Sequence, residues 1–130
     1  MTEIERQRQE FKRKLTAGFH ALRFEHNYFA AQNFMCCQSC GTAQVPDKYA
    51  ERYVFYHEQD AQDLDEATTL KKLGTHLSWA GDAARIRKVF EEAGCAVVHD
   101  GDPGKRIWVC AQLENCPHHG APGLRVADAG

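Results

Sequence analysis

The chain has 130 residues, of which 43% are hydrophobic and 26% charged, with a formal net charge of −2. This length supports one compact domain, and the apolar share excludes wholesale disorder. The near-balanced charge argues against nucleic-acid binding driven by net charge, and no apolar run nears the roughly 18 residues of a membrane helix.

The opening residues are charged and polar and supply no apolar core of the roughly 7–15 residues a signal peptide needs. The expected location is therefore the cytoplasm, where thiols stay reduced and close cysteines favour metal or redox chemistry over structural disulfides. Residues 3–31 are predicted as one long amphipathic helix. Thr2 and Glu5 have capping-box spacing, and Ile4, Phe11, Leu15, Gly18, Leu22 and Phe29 form one stripe. Arg6, Arg8, Lys12, Arg13 and Lys14 lie mainly off that stripe and read as a solvated face, with docking of an acidic partner as the alternative. Gly18 marks either a helix break or a close helix–sheet contact.

Residues 32–51, rich in Gly, Ser, Pro and Asp, read as a loop. The aromatic run 52–57 is the first predicted strand. Asp60 is the expected N-cap of a short helix reaching residue 67. Residues 75–80 form the second strand. Asp82 caps the next helix, with Ile86, Val89, Phe90 and Ala93 buried and Gly94 at the left-handed C-terminal position. Residues 95–99 and 105–113 form two more strands around a 100–104 hairpin loop, with Ile107, Val109, Ala111 and Leu113 on one face. The expected fold class is α+β: a long N-terminal helix and an antiparallel or mixed sheet of about four strands, with helices on one face. A single domain spans 1–114, followed by an irregular tail at 115–130. If the strands flanking the 82–94 helix pair in parallel, residues 75–99 make a right-handed crossover.

The chemistry concentrates in Cys37-Gln38-Ser39-Cys40-Gly41. Two thiolates at C-x-x-C spacing grip one ion from a single tight turn, the usual half of a tetrahedral zinc site. The remaining ligands have three sources: the adjacent Cys36, His57 at the end of the first strand, or the tail with Cys116, His118 and His119. Cys37, Cys40, Cys116 and His119 would make a split three-cysteine, one-histidine site. Cys95 and Cys110 read as strand core residues. Thioredoxin-like dithiols open a helix after a strand; here the motif follows a long helix, which places a redox dithiol below a metal site.

Asp60 lies across a turn from His57, where its carboxylate can orient the imidazole. No phosphate loop, dinucleotide fingerprint or zinc-protease helix motif is present, and a serine nucleophile is not supported, since Ser39 and Ser78 are the only serines.

Asn33-Phe34-Met35-Cys36-Cys37-Gln38-Ser39-Cys40-Gly41, the strand Tyr53-Val54-Phe55-Tyr56 leading into His57-Glu58-Gln59-Asp60, and Leu77-Ser78-Trp79-Ala80-Gly81 resemble an uncharacterised bacterial domain of unknown function. Its pattern is N-F-x-C-C-x-x-C-G followed by an aromatic strand ending H-x-Q-D. The resemblance covers about residues 10–110 and implies no reaction. It implies that Cys36, Cys37, Cys40, His57, Gln59 and Asp60 belong together, which favours His57 over the tail. The expected site is a zinc ion on Cys37, Cys40 and His57, with Cys36 or a tail residue fourth and Gln59 and Asp60 behind them. Its expected role is structural or in binding a protein or small-molecule partner, with a homodimer as one arrangement. The alternatives are an enzyme using Cys36 or Cys37 with His57 and Asp60, and a redox-sensing dithiol.

Overall fold

A computed structural model describes residues 2–69, 72–102 and 104–111. The first helix, α1, spans Glu3–Glu25 and begins with the Thr2/Glu5 capping box. It stops short of the predicted residue 31. Asn27 takes a left-handed φ of 59° and reverses the chain, a conformation the short amide side chain tolerates better than most. Phe29–Ala31 then forms a strand, β1. Phe29 therefore leaves the helical stripe and bonds through its N–H to the Arg52 carbonyl at 3.0 Å.

The predicted 32–51 loop contains a second helix, α2, at Gln38–Gln44, and a 3₁₀ turn at Asp47–Tyr49. Strand β2 follows at Tyr53–Phe55, then α3 at Glu58–Asp65 and β3 at Gly74–Ala80. Helix α4 spans Ala83–Glu92 and starts at the Asp82 cap, whose carboxylate accepts from the Ala84 and Arg85 amides. It ends as expected: Gly94 has φ 103°, Cys95 N–H bonds the Phe90 carbonyl and Gly94 N–H the Glu91 carbonyl. This is the paired closure of a Schellman motif. Strands β4 (Ala96–Val98) and β5 (Ile107–Cys110) make the hairpin.

Among the described residues the sheet has five strands in the order β1-β2-β3-β5-β4. β1 pairs with β2 in parallel, and every other pairing is antiparallel. β3 and β4 point the same way but do not touch, because β5 returns between them. The crossover is thus split by its own hairpin. Ile107 and Val109 face the main core as expected, while Trp108 and Cys110 are buried on the opposite face. Leu113 and the tail lie outside the described residues.

The main core joins Phe11, Leu15, Phe19 and Leu22 of α1 and Ile86 and Phe90 of α4 to Val54, Leu77, Ile107 and Val109 of the sheet. Each such side chain contributes about 1.5–3 kcal/mol on burial, so this face carries the fold. Gly18 marks neither a break nor a helix–sheet contact. It lies against α4, where an added Cβ would come within 2.4 Å of the Phe90 ring. The basic face of α1 is partly structural. Arg8 donates to the Leu64 and Ala67 carbonyls at the end of α3, and Lys12 pairs with Asp65 at 2.7 Å.

Candidate metal centre

Asn33 and Met35 both adopt left-handed φ, 52° and 62°, which bends the segment after β1 across the end of β2. Two backbone bonds hold it there. Phe34 N–H donates to the Tyr56 carbonyl at 2.8 Å, and Glu58 N–H to the Met35 carbonyl at 2.9 Å. The cysteine segment is thereby fixed beside the start of α3.

Cys37, extended at φ −157°, is the residue from which α2 begins. The helix has a seat. Val54 points into the main core, so Phe55 points to the other side of the sheet. There Phe55 meets Phe34, ring centroids 5.6 Å apart, and Gly41. A Cβ at Gly41 would stand 2.5 Å from the Phe55 ring, so only glycine lets the helix lie this close. The glycine after the second cysteine thus serves packing rather than a positive-φ turn. This tertiary contact makes a helix of a segment whose Ser, Thr and Gly favour loops.

Cys36, Cys37 and Cys40 converge, with their sulfurs all within 4.8 Å of one another. The sulfurs of Cys36 and Cys37 are 3.9 Å apart although the residues are neighbours. Cys36 and Cys40 are exposed, Cys37 is half-buried, and Cys95 and Cys110 are buried as expected. The Cys40 backbone amide, then the Cys40 and Cys36 thiols and the Ser39 amide, hold Cys37 below the ordinary thiol value. Hydrogen bonding and charge from Cys36 and Cys37 push Cys40 up to about 11. Burial pushes Cys95 up to about 12.

His57 is buried and is itself the N-cap of α3; Asp60, the expected cap, occupies the third helical position. The two form a capping box: His57 Nδ1 accepts from the Asp60 amide, and the Asp60 carboxylate accepts from the His57 amide, each at 3.3 Å. His57 Nε2 also lies 3.3 Å from Asp60 Oδ2. Asp60 thus reaches His57 as the sequence suggests, and it also pairs with Arg106. Arg106 in turn donates to the His76 carbonyl at 2.8 Å. That Arg106 anchor carried no sequence signal, because 46 residues separate it from Asp60. The imidazole nitrogens are not among the ligand atoms that converge with the three sulfurs. Gln59 is exposed in the first turn of α3. Cys116, His118 and His119 lie outside the described residues.

A separate cleft of about 510 Å³ opens between α3 and the β3–β5 strands, lined by Asp60, Asp63, Glu66, Lys72, His76 and Trp108 among others. Among the described residues, no helix is long and apolar enough to cross a membrane.

Fold and site together define a small α+β domain that presents a triad of cysteines at the start of a short helix. The chain belongs to the family described as Domain of unknown function (DUF6891), whose sequence model matches residues 6–114. No curated protein and no solved structure matches it.

Proposed function

We propose that the domain is a zinc-binding module whose ion is held by the thiolates of Cys36, Cys37 and Cys40, with a structural or partner-binding role. The supporting observation is the convergence of three sulfurs, all within 4.8 Å, from one five-residue segment. Sulfurs bound to one tetrahedral zinc at 2.3 Å lie about 3.8 Å apart, and Cys36 and Cys37 already stand at 3.9 Å. Small side-chain rotations bring Cys40 in.

The fourth ligand in this reading is His57, with Cys116, His118 or His119 of the tail as the alternative. The bond from Glu58 N–H to the Met35 carbonyl joins the chain neighbours of His57 and Cys36. To bind, the ring gives up the Asp60 amide. A cap is worth about 1 kcal/mol, and one ligand's even share of the roughly 10 kcal/mol of a four-ligand structural zinc site is about 2–3 kcal/mol, so the exchange favours the ion. Asp60 then stays beside the ring as an orienting carboxylate. The reading suits a reducing cytoplasm, and the occupant of the surface around the site is a protein or small molecule, a second copy of the chain included.

Zinc titration of the reduced protein against a chromophoric chelator tests this. Cys37→Ser, Cys40→Ser and His57→Ala each remove a direct ligand and should each lower affinity by more than the roughly ten- to hundredfold that loss of an outer-shell partner costs. Unchanged affinity in His57→Ala would move the fourth ligand to the tail, and unchanged affinity in both serine variants would end the metal reading.

A further inference from the structure

We propose that the triad is also a peroxide-responsive switch, in which Cys37 and Cys40 are oxidised to a disulfide and the ion they held is released. The release rests on the zinc reading above; the disulfide rests on geometry alone. Sequence order places the dithiol below a metal site because the motif follows a long helix. In the fold the two cysteines flank the start of a short helix: Cys37 precedes α2 and Cys40 lies in its first turn.

Geometry also selects the pair. A disulfide needs its two Cα atoms about 4.4–6.8 Å apart. Neighbours across a trans peptide sit only about 3.8 Å apart, so Cys36 and Cys37 would strain the bond between them. Residues three apart at a helix start are side-chain neighbours, and the Cys37 and Cys40 sulfurs already lie within 4.8 Å of each other. Cys40 is exposed and open to a small oxidant, while Cys95 and Cys110 are buried away from it. The segment is pinned on both sides of the triad, by the Phe34 and Met35 backbone bonds and by Gly41 against Phe55. Between these anchors, closing the bond takes side-chain rotation and a local adjustment of the first turn of α2 that brings the two Cβ atoms to about 3.8 Å.

The oxidant is a hydroperoxide. One thiolate of the pair attacks a peroxide oxygen and breaks the O–O bond; the sulfur becomes a sulfenic acid and the departing hydroxide takes a proton to leave as water. The second thiolate attacks that sulfur and displaces hydroxide, which takes another proton. Two thiolates, one hydrogen peroxide and two protons give one disulfide and two waters. Zinc keeps one sulfur of three, Cys36, and dissociates.

The test adds hydrogen peroxide to the zinc-loaded protein and follows free zinc with a chromophoric indicator, mapping disulfides by non-reducing peptide mass spectrometry. The expected result is a Cys37–Cys40 cross-link that forms in step with zinc release and reverses with dithiothreitol. Cys36→Ser should keep the cross-link and Cys40→Ser should lose it. Zinc binding without any Cys37–Cys40 cross-link after excess peroxide overturns the switch and leaves the metal reading standing. A cross-link in protein that never takes up zinc overturns the release, and the metal reading with it. A cross-link confined to Cys36 overturns the assigned pair.

Discussion

Cys37 and Cys40 stand three residues apart, and their surroundings shift the two thiol pKa values in opposite directions. Cys37 is lowered, first by the Cys40 amide, and Cys40 is raised to about 11. Only the thiolate alkylates. In the metal-free protein, alkylation of Cys37 should therefore level off at a pH below the ordinary thiol value, while that of Cys40 should still be rising at pH 9–10. Site-resolved mass spectrometry across a pH series checks the order; a faster Cys40 at neutral pH would contradict it. Asp60 gives a second prediction at this scale. Its carboxylate holds the His57 amide and pairs with Arg106, with little of its side chain exposed. Asp60→Asn leaves Arg106 without its counter-charge and should cost about 2–3 kcal/mol, at or just under the lower end of the range for breaking a buried pair, since Arg106 is partly exposed. A denaturant melt within 0.5 kcal/mol of the parent would contradict this. The cysteines and the His57–Asp60 pairing were legible because their partners are near in sequence. Arg106 was not, because the pairing is purely tertiary.

At the scale of the elements, two glycines make close packing possible. Gly41→Ala pushes a Cβ into the Phe55 ring, which is fully buried and has little room to yield. The expected cost is about 1–3 kcal/mol, with zinc affinity falling as α2 lifts. Unchanged stability and affinity would show that α2 does not depend on this seat. Gly18→Ala sets two effects against each other. Helix propensity favours alanine by about 1 kcal/mol, but overpacking against Phe90 costs about 1–3 kcal/mol. Net destabilisation is expected, and a raised melting temperature would contradict it. Helix α4, with both its caps, was readable from Asp82 and Gly94. Helix α2 was not, because its residues favour loops and the seat that overrides them comes from Phe55. β1 was absorbed into α1 because Phe29 continues the helical stripe; Asn27 was the available stop signal.

At the scale of the molecule, the cysteine triad and the main core are separate among the described residues. The core is built on α1, α4 and one sheet face without Cys36, Cys37 or Cys40, and the cysteine segment rests on Phe55 and Phe34 across the sheet. Chelation should therefore release α2 and leave the rest folded: near-ultraviolet circular dichroism should keep its core signature and thermal unfolding should stay cooperative. Collapse of both on chelation would mean that the ion organises the entire fold. The sequence points to an α+β domain with an antiparallel or mixed sheet of about four strands; the fifth strand, the parallel β1–β2 pairing and the return of β5 between β3 and β4 are long-range choices that local periodicity does not encode.

Elemental mass spectrometry of untagged protein purified without chelator, with a thiol count on the same sample, tests the central claim most directly. About one zinc per chain, with three thiols protected until a chelator is added, is the predicted result. Metal-free protein whose Cys36, Cys37 and Cys40 react at once would contradict it.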